Sequence, residues 1–141
     1  MHDTTRPGPD SAQVRLAPTM TLTAAQLRLK DEVLAFCRAH RGDEHALFII
    51  EGDAGTGKSL LLNTLFTAIQ HAARGDDAHD PLHGSQNRVL VNHPEMIKLY
   101  RNIAQSQPCL RYKDYERPTT FINQMAGTDR RADIVLVDEA H

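Results

Sequence analysis

An α/β fold, a parallel sheet flanked by helices, is what the sequence predicts, and three observations carry that reading. Strand-like apolar runs alternate with stretches of helical periodicity, the pattern left by strands joined through crossover helices. A glycine-rich octet, Gly52-Asp53-Ala54-Gly55-Thr56-Gly57-Lys58-Ser59, stands between one such run, Leu47-Phe48-Ile49-Ile50, and a helical pattern of Leu61, Leu62, Leu65, Phe66 and Ile69. A second apolar run, Ile134-Val135-Leu136-Val137, delivers two acids, Asp138 and Glu139, followed by Ala140 and His141.

The elements follow in order. Residues 1–20 carry Pro7, Gly8, Pro9 and Pro18 with little apolar content and read as a flexible tail. Thr23 with Gln26 three positions on forms a capping box, so a helix starts there. Its apolar face is Leu27, Val33, Leu34, Phe36 and Cys37, and Gly42 marks its exit. A first strand is expected over 46–51 and a helix over 57–73, with Gly75 at the helix C-terminus. The polar loop 75–87 leads to a second strand, Arg88–Asn92. Pro94 opens a helix bearing Met96, Ile97, Leu99, Tyr100 and Ile103. Pro108 and Pro118 bracket a segment with no clear periodicity, and Asp133–Val137 reads as the last strand.

Composition narrows the function classes. The 141 residues suit one domain with a real core, and 40% hydrophobic with 24% charged residues is ordinary for a globular protein. A net charge of −2 argues against a protein that coats nucleic acid generally, without excluding a local basic face. No apolar run approaches the roughly 20 residues that cross a bilayer, and the first residues lack a signal-peptide core. Cys37 and Cys109 form no C-x-x-C pair, which points to a reducing cytoplasm and to two buried or half-buried thiols.

The octet matches the phosphate-cradling G-x-x-x-x-G-K-[ST] pattern. Gly52, Gly55 and Gly57 let backbone N–H groups turn inward around an anion, and the following helix adds its positive end. Asp53, Ala54 and Thr56 complete the cradle, Lys58 reaches the β and γ phosphates of ATP, and Ser59 offers its hydroxyl to Mg²⁺. Asp138, at the end of an apolar strand, holds Mg²⁺ directly or through water, the Walker B role. Glu139 is placed to orient or deprotonate the attacking water, which favours hydrolysis over transfer. The plain alternatives are a glycine turn that binds nothing and two surface acids that end a strand.

Asp138-Glu139-Ala140-His141 also spells the string that names a helicase motif. Three blocks, Leu22-Thr23-x-x-Gln26, Glu51 through Ser59 and Ala132 through His141, resemble the first part of a superfamily 1-type DNA/RNA helicase domain, and the phrase Val91-Asn92-His93-Pro94-Glu95-Met96 between them looks like a narrower family within it. More narrowly, the chain is similar to the bacterial Schlafen-group helicase-like proteins over residues 21–141. The resemblance implies a P-loop NTPase (RecA-like) sheet, incomplete here, with the domain truncated after the Walker B acids. It implies that Gln26 contacts the adenine edge, a reading that stands beside its capping role. It implies that His141 couples nucleotide state to the nucleic-acid site, and that a missing downstream helicase lobe brings the arginine finger. Thr119-Thr120-Phe121 resembles a step near bound single strands, against the alternative of a buried Phe121 beside a polar turn.

Between 98 and 133 seven basic residues, Lys98, Arg101, Arg111, Lys113, Arg117, Arg130 and Arg131, outnumber four acids. With Tyr100, Tyr112 and Tyr115 they could track single-stranded DNA or RNA by charge and stacking, or form a solvated face. His79 and His83 flank Pro81 in an Asp-rich loop that is either solvated or a metal site. The expected function is therefore ATP binding and Mg²⁺-dependent hydrolysis in the nucleotide lobe of a helicase-like motor, weak or silent in these residues alone. The alternatives are an NTP-dependent signalling or defence switch that does not translocate, and a non-enzymatic fragment.

Overall fold

A computed structural model describes residues 22–43, 46–48, 58–127 and 132–138. Helix α1 spans Ala24–Ala39, α2 Lys58–Arg74, α3 Pro94–Ala104 and α4 Pro118–Ala126; strands are β1 Asn87–Val91, β2 Tyr115–Glu116 and β3 Ile134–Asp138. The expected mixed α/β class holds, with a parallel three-strand sheet in the order β2-β1-β3. The expected first strand meets no support at residues 46–48, which are irregular, and its remainder lies outside the described residues. The expected tail over 1–20 lies outside them too.

Local chemistry accounts for the helix starts. At α1 the capping box forms as expected: Thr23 Oγ1 accepts from the Gln26 amide at 3.1 Å, and the Thr23 amide donates to Gln26 Oε1 at 2.9 Å. At α3 the ring Nδ1 of His93 accepts from the Glu95 amide at 3.1 Å, ahead of Pro94 in the first turn. At α2's other end a Cβ on Gly75 would lie 2.5 Å from the His71 carbonyl oxygen, so this close approach requires glycine.

The segment 108–118 that sequence periodicity left unassigned is a 3₁₀ turn, Tyr112–Asp114, followed by the short β2. Arg74 anchors it: its guanidinium donates to both Asp114 oxygens at 2.7 Å and to the Cys109 carbonyl at 2.7 Å. Thr119-Thr120-Phe121 forms the first turn of α4, where Phe121 is half-buried, and so is neither a polar turn nor a fully buried site. Pro118 explains the helix start, since its missing N–H would be unsatisfied there in any case.

Because β2 and β3 flank β1 on opposite sides, the two crossovers run in opposite directions. Right-handed crossovers then put α3 and α4 on opposite faces of the sheet. Contacts agree with that assignment. Ile97, Tyr100 and Ile103 of α3 join Phe66 of α2, Val89, Val91 and Tyr115 in one core. On the other face the Gln124 amide of α4, oriented to donate, meets the Glu116 carboxylate at 2.9 and 3.2 Å.

A second cluster joins α1 to α2 through Val33, Leu34, Leu65 and Ile69, with Leu82 from the 75–86 loop as its plug. That loop is therefore not uniformly solvated: Leu82 is fully buried, and Asp80 accepts from its amide at 2.9 Å. Leu22 buries against Leu60 and Leu61, so α1 and α2 begin side by side. On β3 the inward residues Ile134 and Leu136 pack into the core, whereas Val135 and Val137 are exposed.

Candidate functional site

Ser59 and Asp138 lie 79 positions apart, and the fold brings them into contact: Ser59 Oγ donates to Asp138 Oδ2 at 3.1 Å. Each arrives there for a local reason. Lys58 and Ser59 form the first turn of α2, whose apolar stripe (Leu61, Leu62, Leu65, Phe66, Ile69) buries against the sheet and α1. Asp138 is the last residue of β3 and pairs with Val91 at the end of β1, so it stands at the carboxyl edge of the parallel sheet. Strand alternation points its side chain to the same face as Ile134 and Leu136, toward α2 and α3. It is 1% exposed.

A third side chain completes the arrangement. Tyr100 Oη, from the core stripe of α3, donates to the same Asp138 Oδ2 at 2.5 Å and approaches the Ser59 carbonyl at 3.5 Å. Burial, reinforced by the charge of Asp138, pushes the Tyr100 phenol well above its usual range. The phenol thus stays protonated and must be the donor to the carboxylate. The Tyr100 ring stacks on Tyr115 at 5.4 Å, and Tyr115 meets Phe66 edge-on at 5.5 Å. Three elements, α2, α3 and β2, are thereby tied to one acid.

The setting suits an anion and a hard cation. The first turn of α2 carries no acidic residue, so the positive end of the helix is uncompensated by its own side chains. Ser59 and Asp138 present hydroxyl and carboxylate oxygens, the donor chemistry Mg²⁺ takes when nucleotide phosphates and water supply its remaining ligands. Among the described residues no group of three or more His, Cys, Asp or Glu gathers into a metal site, His79 and His83 included.

Of the expected site residues, Lys58, Ser59, Asp138 and Gln26 are described; Ser59 and Asp138 meet at the carboxyl edge, and Lys58 precedes Ser59 at the start of α2. Gln26 sits in the first turn of α1, beside the start of α2, and its Oε1 serves the capping box. Gly52, Asp53, Ala54, Gly55, Thr56, Gly57, Glu139 and His141 lie outside the described residues. Sequence reasoning missed Tyr100 as a site residue. The signal was present: a tyrosine on the apolar stripe of a helix needs a buried partner for its hydroxyl.

The late basic cluster is reorganised by the fold. Tyr100 and Tyr115 are fully buried and cannot stack on bases; Tyr112, 65% exposed, is the tyrosine that reaches solvent. Arg101 lies over the Tyr112 ring at 3.8 Å, donates to its hydroxyl at 2.9 Å, and also donates to the Tyr115 carbonyl. It thus holds the 3₁₀ turn that leads into β2, at the end of the sheet opposite Asp138. An open groove of about 800 Å³ between α1, α2 and the 75–80 loop, lined in part by Lys30, Arg38, Thr67 and His71, touches neither Ser59 nor Asp138. Cys37 and Cys109 are free and half-buried, and burial raises both thiols above their usual range.

The fold and this site define a mixed α/β domain with a serine-aspartate pair at the carboxyl edge of a parallel sheet. A family model, Schlafen group 3, DNA/RNA helicase domain, matches residues 45–141, and the chain belongs to that family. It is 42% identical over 143 aligned positions to the uncharacterized protein YPL245W of Saccharomyces cerevisiae. The alignment covers 96% of this chain and 32% of the yeast protein, so the chain spans about a third of that relative. No solved structure matches the chain significantly. Among the described residues no helix is long and apolar enough to cross a membrane.

Proposed function

We propose that the chain is the nucleotide-binding lobe of an ATP-driven, helicase-like motor acting on DNA or RNA. The observation that carries this reading is the Ser59–Asp138 hydrogen bond, which joins the end of the phosphate-binding octet to the strand-end acid. Gly52 through Gly57 would cradle the phosphates with backbone N–H groups, and Lys58 would neutralise the β and γ oxygens. Ser59 would give a lone pair to Mg²⁺ while its O–H still donates to Asp138 Oδ2. Bound Mg²⁺ supplies charge neutralisation at the β and γ phosphates. Glu139 would direct water at the γ phosphate, and Gln26 would read the adenine edge from the adjoining start of α1. The positive charge that stabilises the developing transition state would come from an arginine on a downstream lobe, so these residues alone would bind nucleotide with little turnover. Two free cysteines suit a cytoplasmic setting.

The test uses the natural protein at full length. Lys58→Ala is expected to abolish ATP binding, and Glu139→Gln to keep binding while stopping hydrolysis, read by nucleotide titration and phosphate release. Equal turnover in wild type and Glu139→Gln would remove the role given to Glu139. ATP hydrolysis that ignores single-stranded DNA and RNA would favour an NTP-dependent signalling or defence switch.

A further inference from the structure

The acid at the carboxyl edge does not stand between solvent and the helix start. It is buried, and one of its oxygens, Oδ2, accepts from both Ser59 and Tyr100. Tyr100 reaches that oxygen from α3, an element that contributes nothing to the phosphate-binding octet. Its ring is immobilised by the stack on Tyr115, itself fully buried and edge-on to Phe66. A hydroxyl carried on so rigid a ring is a fixed point in space. A carboxylate oxygen hydrogen-bonded to it loses rotation about its terminal torsion, which in aspartate is otherwise broad.

From this geometry we infer that Tyr100 is a positioning residue for Mg²⁺: it fixes the Asp138 carboxylate at the angle that Ser59 and the cation share. The inference rests on the nucleotide-site reading above and adds to it a residue outside both phosphate-site motifs. Two consequences follow from the bonding. Tyr100 is the stiff donor and Ser59 the adjustable one, since a serine hydroxyl rotates to suit its partners. With Tyr100 holding Oδ2, the Ser59 hydroxyl can turn its lone pairs to the cation without releasing the acid. Without the tyrosine hydroxyl, Oδ2 loses the stiffer of these two donors and keeps the one that rotates, so the carboxylate is held less firmly at the angle the cation needs. The cost falls on Mg²⁺ affinity and leaves the protein's contacts with the phosphates unchanged.

The experiment is a Mg²⁺ titration of fluorescent-ATP binding to the full-length protein, comparing wild type, Tyr100→Phe, Asp138→Asn and the double variant. Tyr100→Phe keeps the ring and its stack, and circular dichroism with thermal melting reports whether the fold is kept. The expected result is a half-saturating Mg²⁺ concentration raised several-fold in Tyr100→Phe, with Mg²⁺-free nucleotide affinity unchanged. The double variant should then bind Mg²⁺–nucleotide no more weakly than Asp138→Asn alone, because the tyrosine acts through the acid. A purely structural tyrosine would instead weaken both backgrounds equally or lower nucleotide affinity without Mg²⁺. Superimposable Mg²⁺ curves for wild type and Tyr100→Phe overturn the inference while leaving the nucleotide site intact. Absence of nucleotide binding in wild type overturns the site reading, and the Tyr100 role with it.

Discussion

Asp138 shows how much of a site can hang on one buried residue. Burying a carboxylate is costly unless hydrogen bonds replace its water, and two hydroxyl donors do so at Oδ2. Asp114, another buried acid, does structural work. Both of its oxygens accept from Arg74 at 2.7 Å, and Oδ2 also accepts from the Arg111 amide at 2.9 Å. Asp114→Ala would leave the Arg74 guanidinium half in the core without its counter-charge. We expect a loss of about 3 kcal/mol, the lower end for a broken buried pair, because the Arg74 side chain keeps 24% exposure. Urea denaturation checks this, and an unchanged midpoint would contradict it. At this scale the sequence was partly legible. Ser59 and Asp138 could be singled out in the sequence from the octet and the strand-end acid, and the fold brings the two into contact. Tyr100, Leu82 and Asp114 could not, because each is defined by partners on other elements of the chain.

Elements were legible where a local signal fixes them. The Thr23 capping box, Pro94 at the start of α3 and Gly75 after α2 each set a boundary that the structure keeps within a residue or two. The 3₁₀ turn and β2 were not legible, since two strand residues carry no periodicity and the turn is held by Arg74 and Arg101 from distant helices. The 75–86 loop read as polar, and its order comes from Asp80, which bonds the Leu82 amide and takes Arg38 at 3.1 Å. The Arg38 hydrogen bonds, then the Leu82 amide, hold the Asp80 carboxyl below the usual range. A carboxyl whose pKa is depressed by folding stabilises fully above the ordinary value of about 3.9, and that contribution disappears as pH falls through the lower folded value. We therefore expect the melting temperature of wild type to fall more steeply than that of Asp80→Asn between about pH 5 and pH 2. The effect should be modest, because Arg38 is largely solvated. Parallel slopes for the two proteins would contradict the assignment.

For the whole molecule, strand order decides where chemistry can occur. With β2 and β3 on opposite sides of β1, the crossovers diverge, and the carboxyl edge between β1 and β3 opens into the place where α/β sheets bind ligands. The start of α2, the end of β3 and the buried face of α3 converge there, and the start of α1 lies alongside. The alternation of strands and helices foretold this convergence in outline. It could not foretell the one-sided burial of β3, where Val137 remains 50% exposed among the described residues. Nor could it foretell that two of three late tyrosines face inward, which depends on α3 packing over the sheet face to which Tyr115 of β2 points.

The central claim is that this edge is the ATP site of a helicase-type motor. Its most direct measurement is ATP turnover by the full-length protein with Mg²⁺, with and without single-stranded DNA or RNA, in wild type and Lys58→Ala. The account predicts turnover that rises when a single strand is added and falls to background in Lys58→Ala. Turnover that persists unchanged in Lys58→Ala, or no turnover under any of these conditions, would contradict it.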